Sequence, residues 1–260
     1  MIALALDLLR ARRTLVLGIC AGILLVAVGY LALYPSFEEQ LQTFADDLPD
    51  AYRALLGDID LATPEGYIRS QVYSLIAPLL IAGASIAVGS GLARAERDQT
   101  LAVLAVTPLP RRSLAGAWWL SLVLVAGAAA LTAIVGVMIG APLAGADVSI
   151  GRIVAATLPL FAFGLLVGSV ALLVSVLTGA PGSATGAGWL FIVASFVLNS
   201  VGELIDSASW LRSVSPWSWH GAGAPITDAF DGAAFLALVV GAALVGGLAL
   251  WRFEHRNLHL

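Results

Sequence analysis

Residues 152–203 read RIVAATLPLFAFGLLVGSVALLVSVLTGAPGSATGAGWLFIVASFVLNSVGE, fifty residues without a charge between Arg152 and Glu203. A helix rises ~1.5 Å per residue, so about 20 apolar residues cross the ~30 Å hydrocarbon core of a bilayer. The stretch is long enough for two crossings. It is interrupted by Thr178-Gly179-Ala180-Pro181-Gly182-Ser183, a cluster of turn formers that joins two helices. Four more charge-free gaps, Arg13 to Glu38, Arg69 to Arg94, Arg112 to Asp147 and Asp231 to Arg252, hold one crossing each. The pattern predicts an all-α polytopic membrane protein, a single transmembrane domain over 1–260. Its six spans run 14–34, 70–93, 113–139, 153–177, 184–202 and 232–251.

Composition agrees. Of 260 residues 60% are hydrophobic and 12% charged, with a mean hydropathy of +0.95. A soluble domain carries about 45–50% apolar and about 25% charged residues. A soluble enzyme, a disordered chain and a nucleic-acid module are therefore excluded as readings.

All 13 basic residues are arginine; lysine is absent. With six spans the termini share a side, and that side carries Arg10, Arg12, Arg13, Arg94, Arg97, Arg111, Arg112, Arg252 and Arg256. The other carries Arg53, Arg69, Arg152 and Arg212, with thirteen of the seventeen acids. The positive-inside rule then places both termini in the cytoplasm. The apolar run at 14–34 is full span length, and no small-residue cleavage site follows it in Tyr30-Leu31-Ala32-Leu33-Tyr34. An uncleaved first span is expected rather than a signal peptide. Cys20, the one cysteine, excludes an internal disulfide.

Little catalytic chemistry fits. A nucleotide-binding P-loop needs a lysine, and so does a lysine Schiff base. His220, His255 and His259 all lie outside the spans. His255 and His259 have i, i+4 spacing, but Arg256 stands where the zinc motif has Glu, so a polar tail is the better reading. Ser85 and Ser169 are deep enough for an intramembrane protease, yet no span supplies a histidine base. None of the acids lies clearly within a span, which disfavours a proton- or sodium-coupled carrier. The expectation is a transport protein that is not an enzyme, holds no metal or cofactor, and draws its energy from another subunit.

The inner loop after the second span runs from Arg94 through Glu96, Gln99 and Thr100 to Arg112. Leu101, Leu104 and Ala105 share a helical face, and Pro108 and Pro110 end it. Such a helix either parks its leucines among lipid headgroups or docks a soluble partner.

Glu96, Thr100, Leu101, Leu104, Pro108 and Arg111 resemble the pattern E-x-x-G-T-L-x-x-L-L-x-x-P-x-x-R, found in the first cytoplasmic loop of ABC transporter permeases of the ABC-2 type. Arg12-Arg13-Thr14-Leu15, Tyr34-Pro35-Ser36, Thr63-Pro64-Glu65-Gly66-Tyr67, Ser215-Pro216-Trp217 and Phe253-Glu254-His255-Arg256-Asn257-Leu258 are similar to further short motifs of that family. Gln99 replaces the usual Gly and Ala105 the second Leu. The resemblance implies the membrane subunit of an ATP-driven exporter of a hydrophobic or amphipathic compound. It further implies a cell-membrane location, pairing with a second copy or a homologous permease, and docking of a separate ABC ATPase that binds ATP and Mg. Residues 94–107 would be the cytoplasmic coupling helix and 1–13 an interfacial helix. The alternatives are an ATPase-independent channel or scaffold and, less favoured, a membrane-embedded enzyme.

The outer loops are 35–69 and 203–231. In the first, Phe37, Leu41, Phe44 and Leu48 recur at helical spacing among acids, an amphipathic segment that lies on the outer leaflet or gates the mouth. In the second, Trp210, Trp217 and Trp219 suggest an interfacial aromatic belt. Related permeases border the substrate path with the second and fifth spans. By that resemblance Gln71, Ser74, Ser85, Phe191, Phe196 and Asn199 are path residues, helix packing being the other reading.

Overall fold

The computed structural model describes residues 2–47, 63–100 and 111–256, and among these every regular element is helical. Helix α1 is Ile2–Ala11 and α2 is Arg13–Asp47. Then follow α3, Pro64–Arg97, α4, Arg111–Leu143, α5, Ile150–Thr178, and α6, Pro181–Leu204. Two short helices, α7 (Trp210–Val214) and α8 (Pro216–Trp219), precede the last, α9 (Gly232–Glu254). Helices α2 to α6 and α9 are the six long and apolar enough to cross a membrane. They match the six spans read from the five charge-free gaps.

Helix α5 is the centre, packed on α3, α4, α6 and α9. Within their most apolar windows α5 is 72% buried and α3 67%, against 17% for α2 and 22% for α6 and α9. The last three therefore present most of their apolar surface outward. Lipid is as apolar as leucine, so close packing and polar contacts must hold such helices together. Gly164 and Gly168 supply the close packing: a Cβ at Gly164 would lie 2.6 Å from Ile81 Cγ2 of α3. Polar contacts add to it. Ser175 donates to the Gly89 carbonyl at 2.8 Å, and Trp119 Nε1 donates to Ser169 Oγ at 3.3 Å.

Helix α3 begins earlier than the charge gap suggested. Thr63 Oγ1 accepts from Gly66 N at 3.2 Å, and Pro64 occupies the first turn, both start signals. Residues Arg69–Ile76 then wind as a π-helix, in which Ala77 N–H bonds the Val72 carbonyl. Pro78 has no N–H to continue an α-helical ladder, while the Ser74 hydroxyl takes up the Arg69 carbonyl at 2.9 Å. One result is a buried bond between Tyr73 and Thr157 at 3.0 Å. Helix α2 likewise runs on through Pro35 to Asp47, so the first part of the segment expected as an outer loop extends the helix. Leu48 lies outside the described residues.

The predicted turn at 178–183 is tight. Gly179 takes φ +65° and Pro181 opens α6. Leu4 and Leu8 of α1 pack on the cluster around Trp118 and Phe253. The opposite, polar face of α1 carries an exposed Asp7–Arg10 pair.

Candidate functional site

Six crossings bring both termini to one end of the bundle, where most of the arginines gather. There Arg12, between α1 and α2, donates to the Ala87 carbonyl at 2.6 Å. That carbonyl lies just before Ser90, where the α-helical stretch Ala77–Gly89 within α3 ends, and a cation is favoured at a helix C-terminus. Burial, reinforced by Arg94, pushes the Arg12 pKa below its ordinary value, although guanidinium stays charged.

Glu96 lies in the last turn of α3, and Arg256 just beyond α9. Their pairing is two-pronged, Nη1 to Oε2 at 3.0 Å and Nη2 to Oε1 at 2.8 Å. Helix α3 ends at Arg97, and the chain turns through Asp98 and Gln99, whose φ is +58°. Thr100 is exposed after that turn. The residues expected to form the rest of the docking helix, Leu101, Leu104 and Pro108, lie outside the described residues. Arg111 begins α4.

At the other end the loop after α6 does not lie flat. Ser215 donates to the Ser195 carbonyl of α6 at 2.6 Å. Trp217 is then only 6% exposed, its ring edge-on to Phe163 (5.7 Å) and Phe196 (5.2 Å). Phe163 lies about 20 Å along α5 from Ile150, at ~1.5 Å per residue. His220 is fully buried, its ring 5.4 Å from that of Phe163 and 4.9 Å from Trp217. The chain turns back at Ala222 (φ 41°) and Gly223 (φ 72°). A Cβ at Gly223 would lie 2.6 Å from Tyr73 Cβ. Climbing out, Arg69 donates to Thr227 Oγ1 at 2.6 Å and Asp228 Oδ2 at 2.9 Å. Asp231 caps α9 by accepting from Ala233 and Ala234 N–H, both at 3.0 Å.

Residues 215–227 thus form a re-entrant wedge. Irregular backbone at such depth survives where protein surrounds it. The aromatic-belt expectation is corrected for Trp217, which is core. Trp210, 62% exposed, keeps a surface position. The wedge also brings a histidine to the depth of the spans, which linear span assignment missed; Pro and Gly on both sides of His220 were the available signal. His220 Nδ1 accepts from Ala222 N–H at 3.1 Å, so the neutral ring carries its proton on Nε2. Nε2 and Ser85 Oγ are buried, each without a hydrogen-bond partner. Among the described residues, His220 Nε2 therefore bonds no hydroxyl.

The path residues do not converge on one cavity among the described residues. Gln71 and Ser74 sit on the π-helical part of α3, each half-buried. Ser85 is packed against α5 near Gly164 and Gly168. On α6, Phe191 packs in the central cluster and Phe196 contacts Trp217. Asn199 donates to Glu203 Oε1 at 3.1 Å. The described residues hold no group of three or more histidine, cysteine or acidic side chains able to bind a metal.

Six apolar crossings with buried polar contacts and a re-entrant segment define a multi-pass membrane protein. A family model described as the multidrug efflux system permease Rv1217c, C-terminal domain, matches residues 2–254, and the chain belongs to that family. It is a transport permease. No curated protein matches it.

Proposed function

We propose that this chain is the membrane-spanning subunit of an ABC-2 type exporter in the cell membrane. In this reading it moves a hydrophobic or amphipathic compound outward. A separate ABC ATPase binds ATP and Mg and docks on the arginine-rich, cytoplasmic end. A second copy, or a homologous permease, covers part of the outward faces of the peripheral helices. The observation that carries the reading is the turn at Asp98–Gln99. It ends α3 and sets Thr100, exposed, at the head of the Leu101–Pro108 segment. An absent lysine fits a chain whose energy comes from a partner. The wedge at 215–227 closes the outer end, and export requires it to shift against α3 and α5.

The test is co-expression with the ABC ATPases of its own genome. The intact chain should retain one through purification and show ATP-dependent dye export in proteoliposomes. Leu101→Asp with Leu104→Asp should remove both retention and export, by at least about tenfold. Unchanged retention and export in the double variant would sink the docking assignment.

A further inference from the structure

We infer that Arg256 is a positioning residue that yokes the last span to the loop after α3, and that Glu96 serves inside the permease rather than as a contact for its partner. The inference rests on the exporter reading for its functional consequence but not for its structural one.

Both carboxylate oxygens of Glu96 are engaged by one guanidinium, and both side chains are mostly buried, 17% and 16% exposed. A two-pronged arginine–carboxylate pair fixes orientation as well as distance. The partners lie 160 residues apart, so the pair ties the second span to the last. The α5–α6 turn closes the third side. A Cβ on Gly179 would lie 3.0 Å from Arg256 Nη2 and 3.3 Å from Glu96 Oε2. The termini of α3, α5 and α9 therefore meet at one ion pair, directly before the turn at Asp98–Gln99. Movement at the Leu101–Pro108 segment reaches α9 through this joint, and α9 is packed on the central α5.

Two readouts test it in the full-length chain lacking Cys20. Spin labels on cysteines at Arg97 and Arg252 report the spacing of the α3 and α9 ends. The distance distribution should be narrow in the parent, broad in Arg256→Gln, and narrow again in the exchanged pair Glu96→Arg with Arg256→Glu. Equal widths in parent and Arg256→Gln would overturn the joint whether or not an ATPase binds. With the ATPase present, Arg256→Gln should keep it bound and hydrolysing while export per ATP falls at least about fivefold, restored by the exchange. Loss of ATPase binding in Glu96→Gln with Arg256 intact would instead make Glu96 a docking contact. Failure of the unmodified chain to retain any ATPase would count against the exporter reading, and the label distances would then decide the joint by themselves.

Discussion

Gln99 holds φ +58°, a backbone state that costs an L-residue with a Cβ roughly 1–2 kcal/mol. The pattern this loop resembles has Gly there, and the geometry explains why Gly suits the position. His220 shows the same link between residue and environment. Burial disfavours its imidazolium and pushes its pKa from 6.5 to about 4. Between those values the unfolded chain binds a proton that the folded chain refuses, so stability is level above pH 6.5 and declines as pH falls toward 4. Melting temperatures in detergent, scanned from pH 7.5 to 4.5, should show that decline. His220→Asn, which keeps an acceptor for Ala222 N–H, should flatten it. Parallel profiles for the two proteins would refute the assignment.

At the scale of elements, the wedge depends on a reversal that few residues permit. Gly223→Val forces a β-branched side chain into positive φ and onto Tyr73, at a cost of at least about 2 kcal/mol. A cysteine at Ser215, fully buried, should react with maleimide at least tenfold faster when Gly223→Val is added, and the melting temperature should drop. Unchanged labelling would mean the wedge is held without that turn. Helix α3 is the counterpart. Its charge pattern suggested a span starting after Arg69, yet Arg69 lies within the helix because Thr227 and Asp228 receive its guanidinium. The charge gap marked the core of the crossing. Its true start came from Thr63 and Pro64, local cap chemistry that was readable but outweighed by the charge.

For the whole molecule, segregation of charge sets the topology. Pairings such as Arg256 with Glu96 and Arg69 with Asp228 lie at opposite ends of the bundle. In a chain lacking Cys20, an impermeant maleimide should label a cysteine at the exposed Ser149 in intact cells. A cysteine at the exposed Arg97 should be labelled only after permeabilisation. The reverse pattern would invert the orientation given by the positive-inside rule.

The number of crossings, their order, the turn at Thr178–Ser183 and, among the described residues, the end of the bundle at which each arginine lies were set by the sequence alone. Each follows from the cost of placing charge or unpaired backbone in hydrocarbon, which is paid residue by residue along the chain. The depth of His220 and Trp217, the π-helical stretch of α3 and the Glu96–Arg256 joint were decided only by the tertiary structure. A polar loop enters the bundle when distant partners satisfy it: Ser195 for Ser215, Tyr73 beside Gly223, Arg69 for Thr227. Those partners lie tens to more than a hundred residues away, beyond the reach of any local pattern.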